Sequence, residues 1–151
     1  MAVVTREKEM DVPIEALYAA ITRFEDYPKF LPEVVSAKVL PGATPELARV
    51  QFEIEVVKRF DYTLEWQMKP GREAKWKLVE SNFFKTNSGK WSLTAKDAAH
   101  TAVQYQLDVS FGFLVPGWIS RKLTEVSLPK MFENFEKEWF VKWNELHIHK
   151  S

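Results

Sequence analysis

The sequence predicts an α+β domain in which a curved antiparallel sheet of six to seven strands wraps around a long C-terminal helix. Through the middle of the chain, apolar and polar residues alternate, as they do in strands that bury one face. In the last quarter, apolar residues recur at steps of three and four, which places them on one stripe of a helix. The connections between strands are short, and short connections favour antiparallel hairpins.

Two short helices are predicted after the first strand. Val3–Met10 is expected to be an edge strand, because consecutive charged residues interrupt its alternation. The first helix should begin near Pro13, with Asp11 as its cap. Phe24–Pro32 should form a second short helix or a tight turn, because its prolines prevent a long regular helix.

Six further strands follow from the alternation, and prolines and glycines mark several of the turns between them. The triplet Asn87-Ser88-Gly89 is interpreted as one of these turns. The predicted strands are Val34–Leu40, Val50–Val56, Tyr62–Met68, Ala74–Leu78, Trp91–Ala95 and Val103–Phe111.

The C-terminal helix is predicted within Pro116–Leu146, with a kink or break at Pro129. Its regular part, Leu128–Leu146, would be about 28 Å long, which matches the length of a strand of eight residues. The apolar stripe consists of Leu128, Met131, Phe132, Phe135, Trp139, Trp143 and Leu146.

Composition restricts the functional classes. A length of 151 residues suits one domain spanning 1–151. The charged residues balance at 21 of each sign, so nucleic acid is not an expected partner. The chain has no cysteine and no apolar run long enough for a signal peptide or a membrane span, so a soluble cytoplasmic protein is expected.

The buried face of the predicted sheet is rich in large rings, which could line a cavity or simply fill an aromatic core. No catalytic group is predicted, because Glu53 and Glu55 fall on the wet face of their strand. The three histidines lack the spacing of a helical metal site, so neither a metal nor a cofactor is expected. The rings are Tyr62, Trp66, Trp76, Trp91, Tyr105 and Trp139.

Three segments resemble the START-like, birch-pollen-allergen-like helix-grip superfamily, and most closely its polyketide cyclase/dehydrase and coenzyme Q-binding branch. They are Phe24–Pro32 after the first helix, Phe84-Lys85 with Gly89-Lys90-Trp91 in the central hairpin, and Leu128–Phe135 at the start of the closing helix. One departure is Glu33, where relatives of the coenzyme Q branch often carry an apolar residue. The resemblance covers nearly the whole chain.

The resemblance implies a helix-grip fold whose sheet and C-terminal helix enclose a cavity for a hydrophobic molecule, such as a polyprenyl quinone or a lipid. One alternative is an enzyme, a polyketide aromatase/cyclase; another is a toxin-like interaction protein that associates with ribosomes. The expected ligand-binding residues are Phe52, Ile54, Tyr62, Leu64, Trp66, Trp76, Trp91, Leu93, Tyr105, Leu107, Phe132, Phe135 and Trp139.

The stretch Phe111–Trp118 is unusually apolar for a connection between a strand and a helix. Phe113, Leu114 and Trp118 could pack beneath the two short helices. They could instead form an exposed contact with a membrane or a partner, since Arg121 and Lys122 follow one turn later. The second alternative would make the protein peripheral to a membrane.

Overall fold

Seven antiparallel strands form a single sheet. The computed structural model describes residues 2–55, 58–127, 130, 131, 133–135, 137 and 138. The strands are Ala2–Met10 (β1), Val34–Val39 (β2), Leu47–Glu55 (β3), Arg59–Lys69 (β4), Glu73–Ser81 (β5), Phe84–Ala95 (β6) and Thr101–Phe111 (β7). Their order across the sheet is β1-β7-β6-β5-β4-β3-β2, which confirms the antiparallel sheet and the edge position of β1.

The alternation of residue types determines which face of each strand is buried. In β3, Val50, Phe52 and Ile54 are buried, whereas Gln51 and Glu55 between and after them are exposed. Register shifts in the β2–β3, β4–β5 and β6–β7 pairs mark bulges, which bend strands and increase their twist. These bulges are a physical cause of the sheet's curvature.

Two short helices follow β1, as predicted: an α-helix at Ile14–Thr22 (α1) and a 3₁₀ helix at Phe24–Lys29. The prediction that Asp11 caps α1 is wrong, because the N-cap position is Pro13 and no side chain bonds there. The Thr101 hydroxyl donates a 2.7 Å hydrogen bond to the carbonyl of Val12. This bond ties the preceding connection to β7, so the helix begins beyond it.

The predicted turn at Asn87-Ser88-Gly89 is also wrong, because all three residues lie inside β6. The chain reverses earlier, between Ser81 and Phe84, where the Ser81 hydroxyl accepts hydrogen bonds from the backbone N–H groups of Phe83 and Phe84, each 2.9 Å long. A serine side chain that bonds the backbone two and three residues ahead stabilises a turn without glycine or proline.

Beyond β7, the chain forms an α-helix at Gly117–Lys122 (α2) and a π-helical turn at Leu123–Ser127. Residues 130, 131, 133–135, 137 and 138 are helical. Phe135 is buried between Tyr27 and Trp91, with ring centroids 5.2 and 5.3 Å away, so this helical segment lies on the inner face of the sheet. The kink at Pro129 and the predicted continuation to Leu146 lie outside the described residues.

Gly89 is required by the close approach of a tryptophan. Trp76 lies opposite Gly89 in the β5–β6 pair. A Cβ atom on Gly89 would overlap both the indole of Trp76 and the carbonyl oxygen of Gln106. The glycine therefore allows the Trp76 indole to lie directly against the backbone of β6.

We expect Gly89→Ala to lower the free energy of unfolding by about 1–3 kcal/mol, because the extra methyl group overpacks the site. Urea denaturation would measure the change. Gly112→Ala is the matched control, since a Cβ there would meet only the carbonyl oxygen of Phe83, at 3.6 Å. Equal stability of the two variants would contradict the close packing of Trp76.

Candidate ligand-binding cavity

A cavity of about 150 Å³ lies between the inner face of the sheet, the 3₁₀ helix and the C-terminal segment. Its wall is mainly apolar and aromatic. The lining residues are Tyr27, Leu31, Glu33, Val34, Phe52, Ile54, Tyr62, Leu64, Trp66, Trp76, Phe84, Asn87, Trp91, Tyr105, Leu107, Val109, Phe111, Leu123, Met131 and Phe135.

The aromatic side chains contact one another in a closed circuit. Neighbouring ring centroids lie between 4.5 and 5.8 Å apart, and every pair is tilted or edge-on. Six of these seven rings line the cavity, and the exception is Phe24. The circuit runs Phe24, Trp66, Trp76, Tyr105, Trp91, Phe135, Tyr27 and back to Phe24.

Three polar groups in the cavity wall differ in how they are satisfied. The Trp76 indole N–H donates a 2.9 Å hydrogen bond to the Asn87 side-chain oxygen, and both residues are buried. The Tyr27 hydroxyl donates to the carbonyl of Ile21. The Trp66 indole N–H is buried and has no hydrogen-bond acceptor among the described residues.

The tyrosine hydroxyls are held in their neutral form. Burial raises the pKa of Tyr27, Tyr62 and Tyr105 well above the ordinary value for tyrosine. The fourth tyrosine, Tyr18, also has a raised pKa, first because of partial burial and second because of the charge on Glu46. At neutral pH these groups can act only as neutral hydrogen-bonding groups and as apolar rings.

Ten of the thirteen residues expected from the sequence to bind a ligand lie in the cavity wall. Leu93 does not line the cavity; it is buried in the core and pairs with Val103 further along the sheet. Phe132 and Trp139 lie outside the described residues. The ten are Phe52, Ile54, Tyr62, Leu64, Trp66, Trp76, Trp91, Tyr105, Leu107 and Phe135. Whether they bind a ligand stays a prediction.

Sequence reasoning missed several wall residues for identifiable reasons. Tyr27 comes from the 3₁₀ helix, which has no regular periodicity to indicate an inward face. Phe84 and Asn87 were missed because β6 was predicted to start too late. Glu33, next to β2, is the one carboxylate among the residues lining the described cavity.

The other charged residues singled out from the sequence lie on the outer surface. Arg59 forms ion pairs with Glu53 and Glu55, at 3.3 and 3.9 Å. These carboxylates are thus paired across the wet face of β3 and β4, away from the cavity.

This seven-stranded antiparallel sheet, packed around an apolar cavity beside a helical segment, has the START-like fold. The chain belongs to the family described as polyketide cyclase/dehydrase and lipid transport, whose model matches residues 10–136. No match was found among the curated proteins. Membership of the coenzyme Q-binding branch stays a prediction.

Solved structures support the fold. The chain is similar to the Zhui aromatase/cyclase from Streptomyces sp. R1128, with a TM-score of 0.75, 15% identity, and coverage of 91% of this chain and 93% of that one. It is similar to a START superfamily protein from Mycobacterium smegmatis, with a TM-score of 0.74, 20% identity, and coverage of 90% and 95%. A protein from Thermus thermophilus matches with a TM-score of 0.75, 18% identity, and coverage of 93% and 99%. At these identities, the likeness shows the fold alone.

We expect Asn87→Ala to lower the free energy of unfolding by about 1–3 kcal/mol, because it leaves the buried Trp76 N–H without its acceptor. Denaturant titration would measure this cost. In a Trp76→Phe background, which has no N–H to satisfy, the same substitution should cost about 1 kcal/mol less. An equal cost in both backgrounds would show that the hydrogen bond contributes nothing.

In an alkaline titration, the tyrosines of the folded chain should ionise at a higher pH than those of the unfolded chain. Free tyrosine titrates near pH 10, whereas all four tyrosines here have a raised pKa. The native state therefore holds its phenolic protons more tightly than the unfolded state. The resulting stability is fully present below about pH 10 and is lost as the pH rises above it.

The measurement is tyrosinate absorbance against pH, with the chain in urea as the control. We expect the folded protein to absorb little as tyrosinate at the pH where the control is half-ionised. Absorbance that rises together in both samples would contradict the burial of these hydroxyls.

Proposed function

We propose that the protein binds a hydrophobic ring-containing small molecule that carries a hydrogen-bond acceptor, and that it does so without transforming it. The observation that carries the proposal is the ring-lined cavity with an unpaired indole donor in its wall. Family membership supports a hydrophobic ligand. The relatives' own ligands do not identify it.

Cavity size restricts the ligand. A volume of about 150 Å³ resembles that of an engineered protein cavity that binds benzene. Pockets for drug-sized ligands are larger, at roughly 300–1,000 Å³. The cavity therefore suits the head of a ligand with one or two rings, and a polyprenyl or acyl tail would extend beyond it.

The Trp66 side chain supplies the polar selectivity. It is 3% exposed and packs between Phe24 and Trp76, with ring centroids 4.7 and 4.9 Å away. A buried donor without a partner costs about 1–3 kcal/mol. A ligand oxygen that accepts its hydrogen bond would recover part of that cost, so carbonyl-bearing rings should bind better than hydrocarbons of the same shape.

Titration calorimetry with 1,4-naphthoquinone and naphthalene would test the proposal, since the two differ mainly in their carbonyl oxygens. We expect the quinone to bind more tightly, and Trp66→Phe to reduce that preference about fivefold, the equivalent of one hydrogen bond of roughly 1 kcal/mol. Trp118→Phe is the control, because Trp118 is exposed and outside the cavity wall.

The outcomes separate two failures. If neither ring binds, the ligand-binding proposal fails. If both bind with a preference that Trp66→Phe leaves unchanged, the cavity binds rings but Trp66 does not select them. Native mass spectrometry of the purified protein, followed by solvent extraction, would identify a ligand carried from the cell.

A second candidate function is an aromatase/cyclase, and the placement of Glu33 favours it. Its side chain lines the cavity beside Val34 and is half-buried, and a carboxylate in that position could transfer a proton to or from a bound polyketone. Turnover of a poly-β-ketone substrate that Glu33→Gln abolishes, while binding persists, would establish the enzyme instead of the binding protein.

A further inference from the structure

The described surface has a concentrated group of exposed apolar side chains in the connection after β7. Phe113 is 95% exposed, Leu114 83% and Trp118 55%. We call these three residues the apolar lip. Burying them in an apolar phase would be strongly favourable, since each large side chain gains from leaving water.

The lip is held out by inward contacts of the same segment. Val115, Ile119 and Leu123 pack on a small core cluster that contains Ile54 and Phe83. Two backbone hydrogen bonds, Gly112 N–H to Phe83 O and Val115 N–H to Gly112 O, each 3.0 Å long, fix the turn. Exposure of the lip is thus part of the folded arrangement, and packing beneath the short helices is excluded.

Two cations share the exposed side of α2 with the lip. Arg121 and Lys122 lie three and four residues after Trp118, which is the spacing of neighbours on one helix face. Both are exposed, and neither forms an ion pair with a carboxylate among the described residues. The carboxylate next along the chain is Glu125, which leaves a local excess of positive charge.

We propose that the lip, with Arg121 and Lys122, docks the protein reversibly on an anionic lipid bilayer. Aromatic and aliphatic side chains beside cations suit the interface between acyl chains and anionic head groups. A second copy of this chain fits less well. A twofold contact would bring the same cations together, and three side chains fall well short of the roughly 800 Å² per partner of a standard interface.

The position of the lip relates it to the cavity, although docking does not depend on which ligand the cavity holds. Phe111 and Leu123, which flank the lip along the chain, both line the cavity. A ligand tail that extends beyond the cavity could therefore meet acyl chains at the lip. Docking would let an apolar ligand pass between bilayer and protein with little exposure to water.

The test is sedimentation of the whole chain with vesicles of phosphatidylcholine alone or mixed with phosphatidylserine. We expect binding to the mixed vesicles, with a blue shift of tryptophan emission. Leu114→Ser/Trp118→Ser should lower the partition coefficient at least about tenfold. The matched control, Leu47→Ser/Val79→Ser, removes two exposed apolar side chains elsewhere and should bind like the wild type.

A second pair of variants tests the charges. Arg121→Gln/Lys122→Gln should weaken binding to the mixed vesicles by about fivefold for each charge removed, with little change on phosphatidylcholine. The control Lys75→Gln/Lys96→Gln removes two exposed cations from other elements. Circular dichroism and thermal unfolding of every variant would establish that each is folded.

Several outcomes would overturn the docking proposal. They are failure of the wild type to bind mixed vesicles, equal binding by the lip and control variants, or a dimer in solution that the lip variant abolishes. A wild-type protein that binds the quinone but neither kind of vesicle would reject docking and leave the ligand proposal intact. Binding to vesicles by a protein that binds neither the quinone nor naphthalene would reject the ligand proposal and leave docking intact.

Discussion

The contact between Trp76 and Gly89 is the constraint on which the cavity depends. Because Gly89 has no side chain, the indole can lie against β6, where it reaches Asn87 and contacts both Trp66 and Tyr105. Without this approach, the aromatic circuit would be interrupted between β4 and β7. Six rings of the circuit line the cavity, and this ring-lined cavity is the feature of the fold on which the ligand-binding proposal rests.

The polar groups of the largely apolar cavity wall differ in whether the protein itself satisfies them. The Trp76 indole N–H donates its hydrogen bond to Asn87 within the protein, and this bond stabilises the fold. The Trp66 donor, in the ring next to Trp76, has no acceptor among the described residues, and our proposal assigns it to a ligand oxygen. The raised pKa of the buried tyrosines keeps them uncharged at neutral pH, and Glu33 is the carboxylate among the described lining residues.

The same segment that lines the cavity at Phe111 and Leu123 also carries the exposed lip. The apolar cavity inside the protein is therefore connected, along one segment of the chain, to the apolar lip on its surface. No helix among the described residues is long and apolar enough to cross a membrane. The docking proposed through the three side chains of the lip is an interfacial contact, and the weakness of such an attachment would allow the protein to leave the bilayer.

The sequence by itself determined the sheet and most of its inward face, because period-two alternation fixes both the strands and the side on which Phe52, Ile54 and Trp66 lie. Asn87-Ser88-Gly89 was misinterpreted, since a glycine that permits a turn and one that admits a tryptophan are identical in sequence. Only the tertiary structure showed that Gly89 admits a tryptophan and does not form a turn. It also placed Tyr27 and Glu33 in the cavity wall and left Phe113 and Leu114 exposed. Each depends on contacts between elements distant along the chain, which local periodicity does not encode.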